Sequence, residues 1–122
     1  MNEYKKVYIS APISGHDLTE RHEAFAQWAL EVACEGYVAD NPMMNDLPDE
    51  APYTEHMKAD IRMLLDCDAM VAPVRWRCSK GCTLEARVAE LCGIPVIGRI
   101  DDNGRINWLV ETPAEEKRNR II

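Results

Sequence analysis

The sequence lacks the features that mark membrane, secreted and nucleic-acid-binding proteins. No apolar run approaches the roughly 20 residues that a membrane-spanning helix needs. The chain enters a strand pattern almost at its first residue, so we expect no signal peptide. Lysine and arginine number 14 against 21 aspartates and glutamates, and a net charge of −7 argues against a polymeric nucleic acid as a partner. These absences predict a cytoplasmic protein that binds neither membranes nor nucleic acid polymers.

Metal and disulfide signatures are missing as well. The five cysteines are odd in number and include no CxxC pair, which favours reduced thiols. Cys78 and Cys82 have no second pair of ligands beside them, so we interpret them as packing residues. We therefore expect neither a metal ion nor a cofactor.

What remains has an ordinary globular composition, with 47% hydrophobic and 29% charged residues. At 122 residues the chain is long enough for one core and too short for two. It contains no repeat, low-complexity tract or linker. We predict a single domain over residues 1–122.

Hydrophobic periodicity predicts strands and helices in alternation. Strands are expected at 6–10, 37–40, 69–74 and 94–98, with 106–110 as a last strand or a docking segment. Helices are expected from the Asp17-Leu-Thr-Glu20 capping box to Gly36, at 54–67 and at 81–92. This order predicts an α/β fold: a small doubly wound parallel sheet, flavodoxin-like or Rossmann-like, of four to five strands with helices on both faces.

Two polar segments fall outside that pattern. Residues 43–53 are acidic and contain proline, and the segment is too long for a tight connection. It is either a lid over a site or a solvated excursion. The charged run 115–120 is typical of a solvated helix.

The stretch from Arg75 to Ala86 carries the strongest functional signal. A hydrophobic strand runs into it and a helical pattern runs out of it, which places Ser79 and Gly81 in a strand-to-helix turn. A glycine there lets a ligand approach the backbone, and free N–H groups at the helix start favour an oxygen-rich ligand. Glu85 lies beside the apolar stripe, where we expect it to point toward the ligand-binding edge of the sheet.

Two other residues converge on the same edge. Tyr8 lies near the end of the first strand, and Asp60 falls within the apolar stripe of the second helix, where burial should raise its pKa. Taken alone, each of the three residues has a structural explanation. Tyr8 would be a core residue, and Asp60 would form a hydrogen bond from its helix to a loop. Glu85 would be a first-turn residue favoured by the helix dipole. Together, two carboxylates suit chemistry at the anomeric carbon of a sugar. Asp68, at the opposite edge, is interpreted as structural.

Several short motifs are spread along most of the chain. They are Tyr8-Ile-Ser-Ala-Pro-Ile13, Asn41-Pro42, Met57-Lys-Ala-Asp-Ile61, Cys67-Asp68, Arg75-Trp76, Ser79-x-Gly81-x-x-x-Glu85 and Gly93-Ile-Pro-Val96. Together these motifs resemble those of the nucleoside 2-deoxyribosyltransferase family. The resemblance runs from about Tyr8 to Ile97 and is greatest to a short, often phage-encoded branch with a domain of unknown function.

The resemblance implies roles for individual residues. Glu85 would attack C1′ of a 2′-deoxynucleoside, Asp60 would orient or protonate the base, and Tyr8 would hold the nucleophile. The implied substrate-binding residues are Ser10, Ala11, Pro12, Ser14, Asn41, Trp76, Ser79 and Gly81.

The same resemblance leaves the substrate open between nucleoside and nucleotide. The position of Ser79 is an aspartate in transferases that use free nucleosides and a phosphate-contacting serine in relatives that hydrolyse deoxynucleoside 5′-monophosphates. Those relatives also carry an arginine after the first strand, where this chain has Ser14 or His16. Ser79, Lys80 and Gly81 could supply part of a phosphate site.

We therefore predict an enzyme that cleaves or transfers the N-glycosidic bond of a 2′-deoxynucleoside or its 5′-monophosphate, a small-molecule partner. The alternative is a non-catalytic nucleotide- or nucleoside-binding module. A flavin mononucleotide carrier is a weaker alternative, since no Ser/Thr/Gly-rich loop follows the first strand. We expect a homodimer or larger, because a neighbouring subunit typically completes the pocket in this family. Trp28, Trp76 and Trp108 also exceed the aromatic surface that so small a core hides.

Overall fold

The computed structural model describes residues 5–109, which form a five-stranded sheet with helices on both faces. The predicted helix at 115–120 and the end of the last predicted strand lie outside the described residues. The strands are β1 (Lys6–Ile9), β2 (Val38–Asp40), β3 (Ala69–Pro73), β4 (Val96–Ile100) and β5 (Ile106–Trp108). The α-helices are α1 (Leu18–Cys34), α2 (Tyr53–Leu65) and α3 (Lys80–Leu91). Short 3₁₀ turns span Pro42–Met44 and Trp76–Cys78.

The strand order is β2-β1-β3-β4-β5, with the first four strands parallel and β5 antiparallel to β4. The predicted doubly wound α/β fold is confirmed, and residues 106–108 form a strand at its edge. Several predicted boundaries are shifted by one or two residues, and β4 runs from Val96 to Ile100 rather than from 94 to 98. Proline has no N–H for the ladder, and Ile94 instead donates its N–H to the carbonyl of Ala89 at the end of α3.

The alternation of side chains along β1 decides which residues reach the site. Val7 and Ile9 pack in the core beneath α1, whereas Tyr8 packs in the core beneath α2 and α3. Because side chains repeat every second residue in a strand, Ser10 continues on the same face as Tyr8. Both hydroxyls therefore point toward α3.

Two aspartate side chains fix the starts of elements around the sheet. Asp17 accepts a hydrogen bond from the N–H of Glu20 and starts α1. Asp68 accepts from the N–H groups of Lys5 and Lys6, at 3.1 and 3.0 Å, and so ties β3 to the start of β1. This agrees with the structural interpretation of Asp68.

The packing of cysteines and tryptophans corrects two expectations. Cys82 is buried as predicted, but Cys78 is exposed and does not pack in the core. Trp28 is only 5% exposed, and its indole N–H donates to the carbonyl of Gly104, while Trp108 lies against Tyr37. Trp28 and Trp108 therefore pack within a single chain. The prediction that exposed tryptophan surface favours assembly does not hold for these two residues.

No helix within residues 5–109 is long and apolar enough to cross a bilayer. In the same range, no group of three or more His, Cys, Asp or Glu side chains is arranged to hold a metal ion.

Candidate active site

A cavity of about 980 Å³ opens at the carboxyl edge of the sheet. Its walls come from the loop after β1, the polar segment 42–53, the first turns of α2 and the start of α3. Because β1 and β3 are parallel neighbours, their carboxyl ends meet at this edge. Seven of the predicted site residues line it: Ala11, Pro12, Ser14, Asp60, Ser79, Gly81 and Glu85.

Glu85 lies at the base of this cavity and is held by two hydroxyl groups. The Tyr8 Oη donates to its Oε2 at 2.5 Å, and the Ser10 Oγ donates to its Oε1 at 2.6 Å. The glutamate is 5% exposed and has no cation beside it among the described residues. Each carboxylate oxygen keeps a second lone pair, so the group can still react with a molecule in the cavity.

The surroundings of Glu85 favour its neutral form. Burial raises the pKa of Glu85 to about 7, an effect that the bonds from Ser10 and Tyr8 oppose and the charge of Asp60 reinforces. Burial, followed by the charge of Glu85, also raises the pKa of Tyr8 well above its usual value. Tyr8 thus remains a proton donor to the carboxylate at neutral pH.

Asp60 is the second buried carboxyl group of the cavity and is also 5% exposed. Burial raises its pKa to about 6, while a hydrogen bond from Asn45 and the charge of His56 act in the opposite direction. The pKa of Asp60 is therefore elevated, as predicted, and burial is the main cause. Two carboxyl groups that titrate near neutrality share one cavity, which is the kind of pairing that active sites use.

Sequence reasoning missed the residues that hold Asp60. The Nδ2 of Asn45 donates to the Oδ1 of Asp60 at 2.9 Å and also lies 3.0 Å from the Nδ1 of His56. The Nε2 of His56 lies 3.0 Å from the carbonyl of Pro48. The available signal was the polar segment 43–53, because a long loop with an asparagine beside a buried carboxyl is a place to look for its partner.

The segment 43–53 forms a wall of the cavity. Its cavity-lining side chains are those of Met43, Asn45, Asp49, Ala51 and Tyr53. The interpretation as a cover over the site agrees with this position, although much of the segment is also exposed to solvent. That the segment moves as a lid stays a prediction.

Three predicted substrate contacts lie elsewhere. Ser10 is 1% exposed and bonds to Glu85, so it supports that carboxylate instead of lining the cavity. The side chain of Asn41 accepts from the N–H of Met43 and caps the 3₁₀ turn there. Trp76 faces a different cleft, because the 3₁₀ turn after β3 directs its ring to the other side of α3.

Basic side chains line the rim of the cavity. His16, Arg75 and Lys80 are all exposed there, but Arg75 already pairs with Asp102 through contacts of 2.8 and 3.1 Å. Ser79 caps α3 by accepting from the N–H of Cys82 at 3.2 Å. A further arginine, Arg21, donates to the carbonyl of Pro12 at 2.9 Å and holds the loop after β1 in place.

Comparisons with known proteins agree with this fold. A solved structure titled 2-desoxiribosyltransferase from Leishmania mexicana superposes with a TM-score of 0.55 at 21% sequence identity, over 80% of this chain and 64% of that one. At that identity the likeness shows a shared fold, and the present chain spans about two thirds of the other protein. No curated protein matches the sequence. Residues 5–98 match the model of a family described as a domain of unknown function, DUF4406. Since that match covers most of the chain, the protein belongs to the DUF4406 family.

Proposed function

We propose that this protein cleaves the N-glycosidic bond of a 2′-deoxynucleoside or its 5′-monophosphate, with Glu85 as the nucleophile. The observation that carries the proposal is the carboxylate of Glu85, which is 5% exposed and accepts hydrogen bonds from two hydroxyl groups. It lies at the base of a cavity that also contains the buried carboxyl group of Asp60. A partner of the helix dipole would be satisfied at the protein surface and would not need this burial. The fold shared with a protein titled as a 2-desoxiribosyltransferase supports the same reaction class.

The proposed reaction proceeds through two displacements at C1′. An oxygen of Glu85 attacks C1′ and forms a glycosyl ester, while the bond from C1′ to the base breaks and its electron pair leaves with the base. The protonated carboxyl of Asp60 gives its proton to the departing base. Water or the nitrogen of a second base then attacks C1′, Asp60 takes up the released proton, and Glu85 leaves as a carboxylate. Hydrolysis and base exchange differ only in this acceptor.

Tyr8 and Ser10 act on the nucleophile in this scheme and touch no substrate. Their hydroxyls fix the direction of the Glu85 carboxylate and stabilise its ionised form against burial. A carboxylate that is already oriented needs little reorganisation when the sugar arrives. Tyr8 and Ser10 are therefore positioning residues.

The size and rim of the cavity fit a nucleoside or a nucleotide. A volume of about 980 Å³ lies at the upper end of the range of small-molecule pockets, roughly 300–1,000 Å³. Gly81 lies beside Met57 and Tyr53 in the wall of the cavity, where a Cβ would make ordinary van der Waals contacts at 3.4 Å from the Sδ of Met57 and 3.7 Å from the Oη of Tyr53. Lys80, at the start of α3, is an exposed cation at the rim that could neutralise a 5′-phosphate.

The proposal extends to a single domain over residues 1–122 and to a homo-oligomer in which a second copy covers the rim. Two large side chains that line the cavity remain exposed, Leu18 at 40% and Tyr53 at 48%. Apolar surface at the mouth of a site is typical of a surface that a partner covers. The closer resemblance to a short, phage-encoded branch stays a prediction.

The direct test is an assay for released base. The purified protein is incubated with each of the common 2′-deoxynucleosides and their 5′-monophosphates, with and without a second free base, and the products are separated by chromatography. Free base alone supports hydrolysis, and a new nucleoside supports transfer. If Glu85→Gln abolishes either product while ligand binding persists, the assignment of the nucleophile stands. Binding of these ligands without any turnover by the wild type would instead support the non-catalytic binding module.

A further inference from the structure

A second cleft, of about 350 Å³, lies on the other side of α3 from the Glu85 cavity. Its walls are α3, the 3₁₀ turn Trp76–Cys78, the loop before β4 and β4 itself. The charged side chains that line it are those of Arg77, Arg87, Glu90 and Arg99. Three cations against one carboxylate make a positive cleft on a chain whose net charge is −7.

These arginines are poorly neutralised by the protein itself. Arg87 lies 3.6 Å from Glu90, but both side chains are 69% exposed, and ion pairs of that kind contribute little. Arg77 lies 4.2 Å above the ring of Trp76, which orients a guanidinium without cancelling its charge. Within residues 5–109, neither Arg77 nor Arg99 has a carboxylate within ion-pair distance.

Arg99 is the most buried of the three arginines. It is half-buried on β4, and the one hydrogen bond of its side chain among the described residues is a long contact of 3.4 Å from Nη1 to the carbonyl of Pro73. Burial, and after it the charge of Arg77, lowers the pKa of Arg99. A half-buried cation that shares a cleft with a second cation would be stabilised by an anion bound there.

We propose that this cleft binds the phosphate group of a small phosphorylated ligand, at a site separate from the Glu85 cavity. Planar guanidinium groups bind phosphate oxygens through paired, charge-assisted hydrogen bonds, and one phosphate would neutralise the repulsion between Arg77 and Arg99. A cleft of about 350 Å³ is the size of a small-molecule site. The negative charge of the whole chain opposes an extended polyanion such as a nucleic acid strand. This inference does not depend on the chemistry at Glu85.

The test is a titration of the full chain followed by NMR of its backbone amides. Inorganic phosphate and glycerol phosphate are added separately at constant ionic strength, which distinguishes a free ion from a phosphomonoester. We expect saturable shifts at residues 76–78, 86–90 and 96–99. Arg77→Gln and Arg99→Gln should each weaken binding about tenfold or more, the usual loss when one charge-assisted contact is removed.

Arg105→Gln is the matched control, because Arg105 is exposed on the turn between β4 and β5 and lines neither cavity. It removes the same charge and should leave the affinity unchanged. Thermal denaturation gives a second readout. Phosphate should raise the melting temperature of the wild type. Without phosphate, Arg99→Gln should melt no lower than the wild type and should then lose the phosphate-dependent rise.

Several results would overturn the proposal. Shifts confined to residues 79–81 would place the phosphate in the Glu85 cavity. An equal loss in Arg105→Gln would reduce the effect to overall charge. No saturable response would mean that the cleft binds no phosphate. A larger molecular mass that Arg77→Gln abolishes would mean that a second copy fills the cleft. Since Arg77 is exposed on a turn, its variant keeps the test valid even if Arg99→Gln fails to fold.

Discussion

The burial of Glu85 makes the folded protein sensitive to pH. Its folded pKa of about 7 lies above the value of roughly 4.3 expected in an unfolded chain, so the folded state binds more protons between these values. The contribution of Glu85 to stability is therefore fully present below the unfolded pKa and is lost as the pH rises through the folded one. The loss is on the order of 3 kcal/mol.

Glu85→Gln should remove this dependence, since glutamine keeps the shape of the side chain and carries no charge. Above pH 7 the variant should be more stable than the wild type, with a difference of up to about 3 kcal/mol that disappears at low pH. Urea unfolding across the pH range measures it. A variant that is less stable than the wild type at high pH would show that ionised Glu85 stabilises the fold.

The paired carboxyl groups predict a bell-shaped pH dependence of activity. The reaction needs an ionised Glu85 and a protonated Asp60, whereas pKa values of about 7 and about 6 favour the opposite arrangement, so the reactive form is a minor species. Its population rises with pH up to about 6 and falls above about 7. Because the two groups interact, these values belong to the pair, and the maximum is expected between them. Asp60→Asn should lower the rate and abolish the fall at high pH. Profiles of kcat/KM for base release measure both, and a flat profile across the neutral range would contradict the assignment.

At the scale of single residues, sequence could identify Glu85, Asp60 and Tyr8, because each stands out against an apolar pattern or within a spaced motif. The supporting role of Ser10 also had a signal, since strand alternation places it on the face of Tyr8. For Asn45 the only signal was its position in the polar segment, because the side chains of a loop follow no periodicity.

At the scale of elements, the segment 42–53 is tied to the chemistry through Asn45. Its hydrogen bond lowers the pKa of Asp60 against the effect of burial. Asn45→Ala should therefore raise that pKa and move the high-pH limb of the activity profile toward higher pH. The matched control is Asn41→Ala, which removes the cap of the same segment without touching Asp60. It should cost about 1 kcal/mol of stability and leave the profile in place. If the high-pH limb moved equally in both variants, the conformation of the segment, and not the hydrogen bond from Asn45, would set the pKa of Asp60.

Most helices and strands could be predicted from the sequence, and the wrong predictions have physical causes. The start of β4 moved because Pro95 lacks a donor and Ile94 closes α3. Trp76 was placed in the wrong cavity because a single 3₁₀ turn decides to which side of α3 its ring projects. A 3₁₀ turn of three residues is too short to produce a hydrophobic periodicity in the sequence.

At the scale of the whole molecule, the exposed apolar rim predicts self-association. Leu18 and Tyr53 line the cavity and stay exposed, and a second copy that covers them would also close the site from water. Light scattering at micromolar concentration should give the mass of a dimer or larger. Leu18→Ser should reduce that mass, whereas Leu91→Ser, an equally apolar but remote position that is 84% exposed, should not. A mass near 13.9 kDa for the wild type would contradict the prediction.

Covalent trapping of the nucleophile tests the central claim most directly. A 2-fluoro-deoxyribosyl analogue with a good leaving group should form the glycosyl ester and then react further only slowly, because fluorine slows both steps and the leaving group restores the first. Mass spectrometry of a digest should find one sugar added to the peptide that contains Glu85, and Glu85→Gln should remain unlabelled and lose turnover by several orders of magnitude. A label on Asp60, or full activity in Glu85→Gln, would contradict the assignment of Glu85 as the nucleophile.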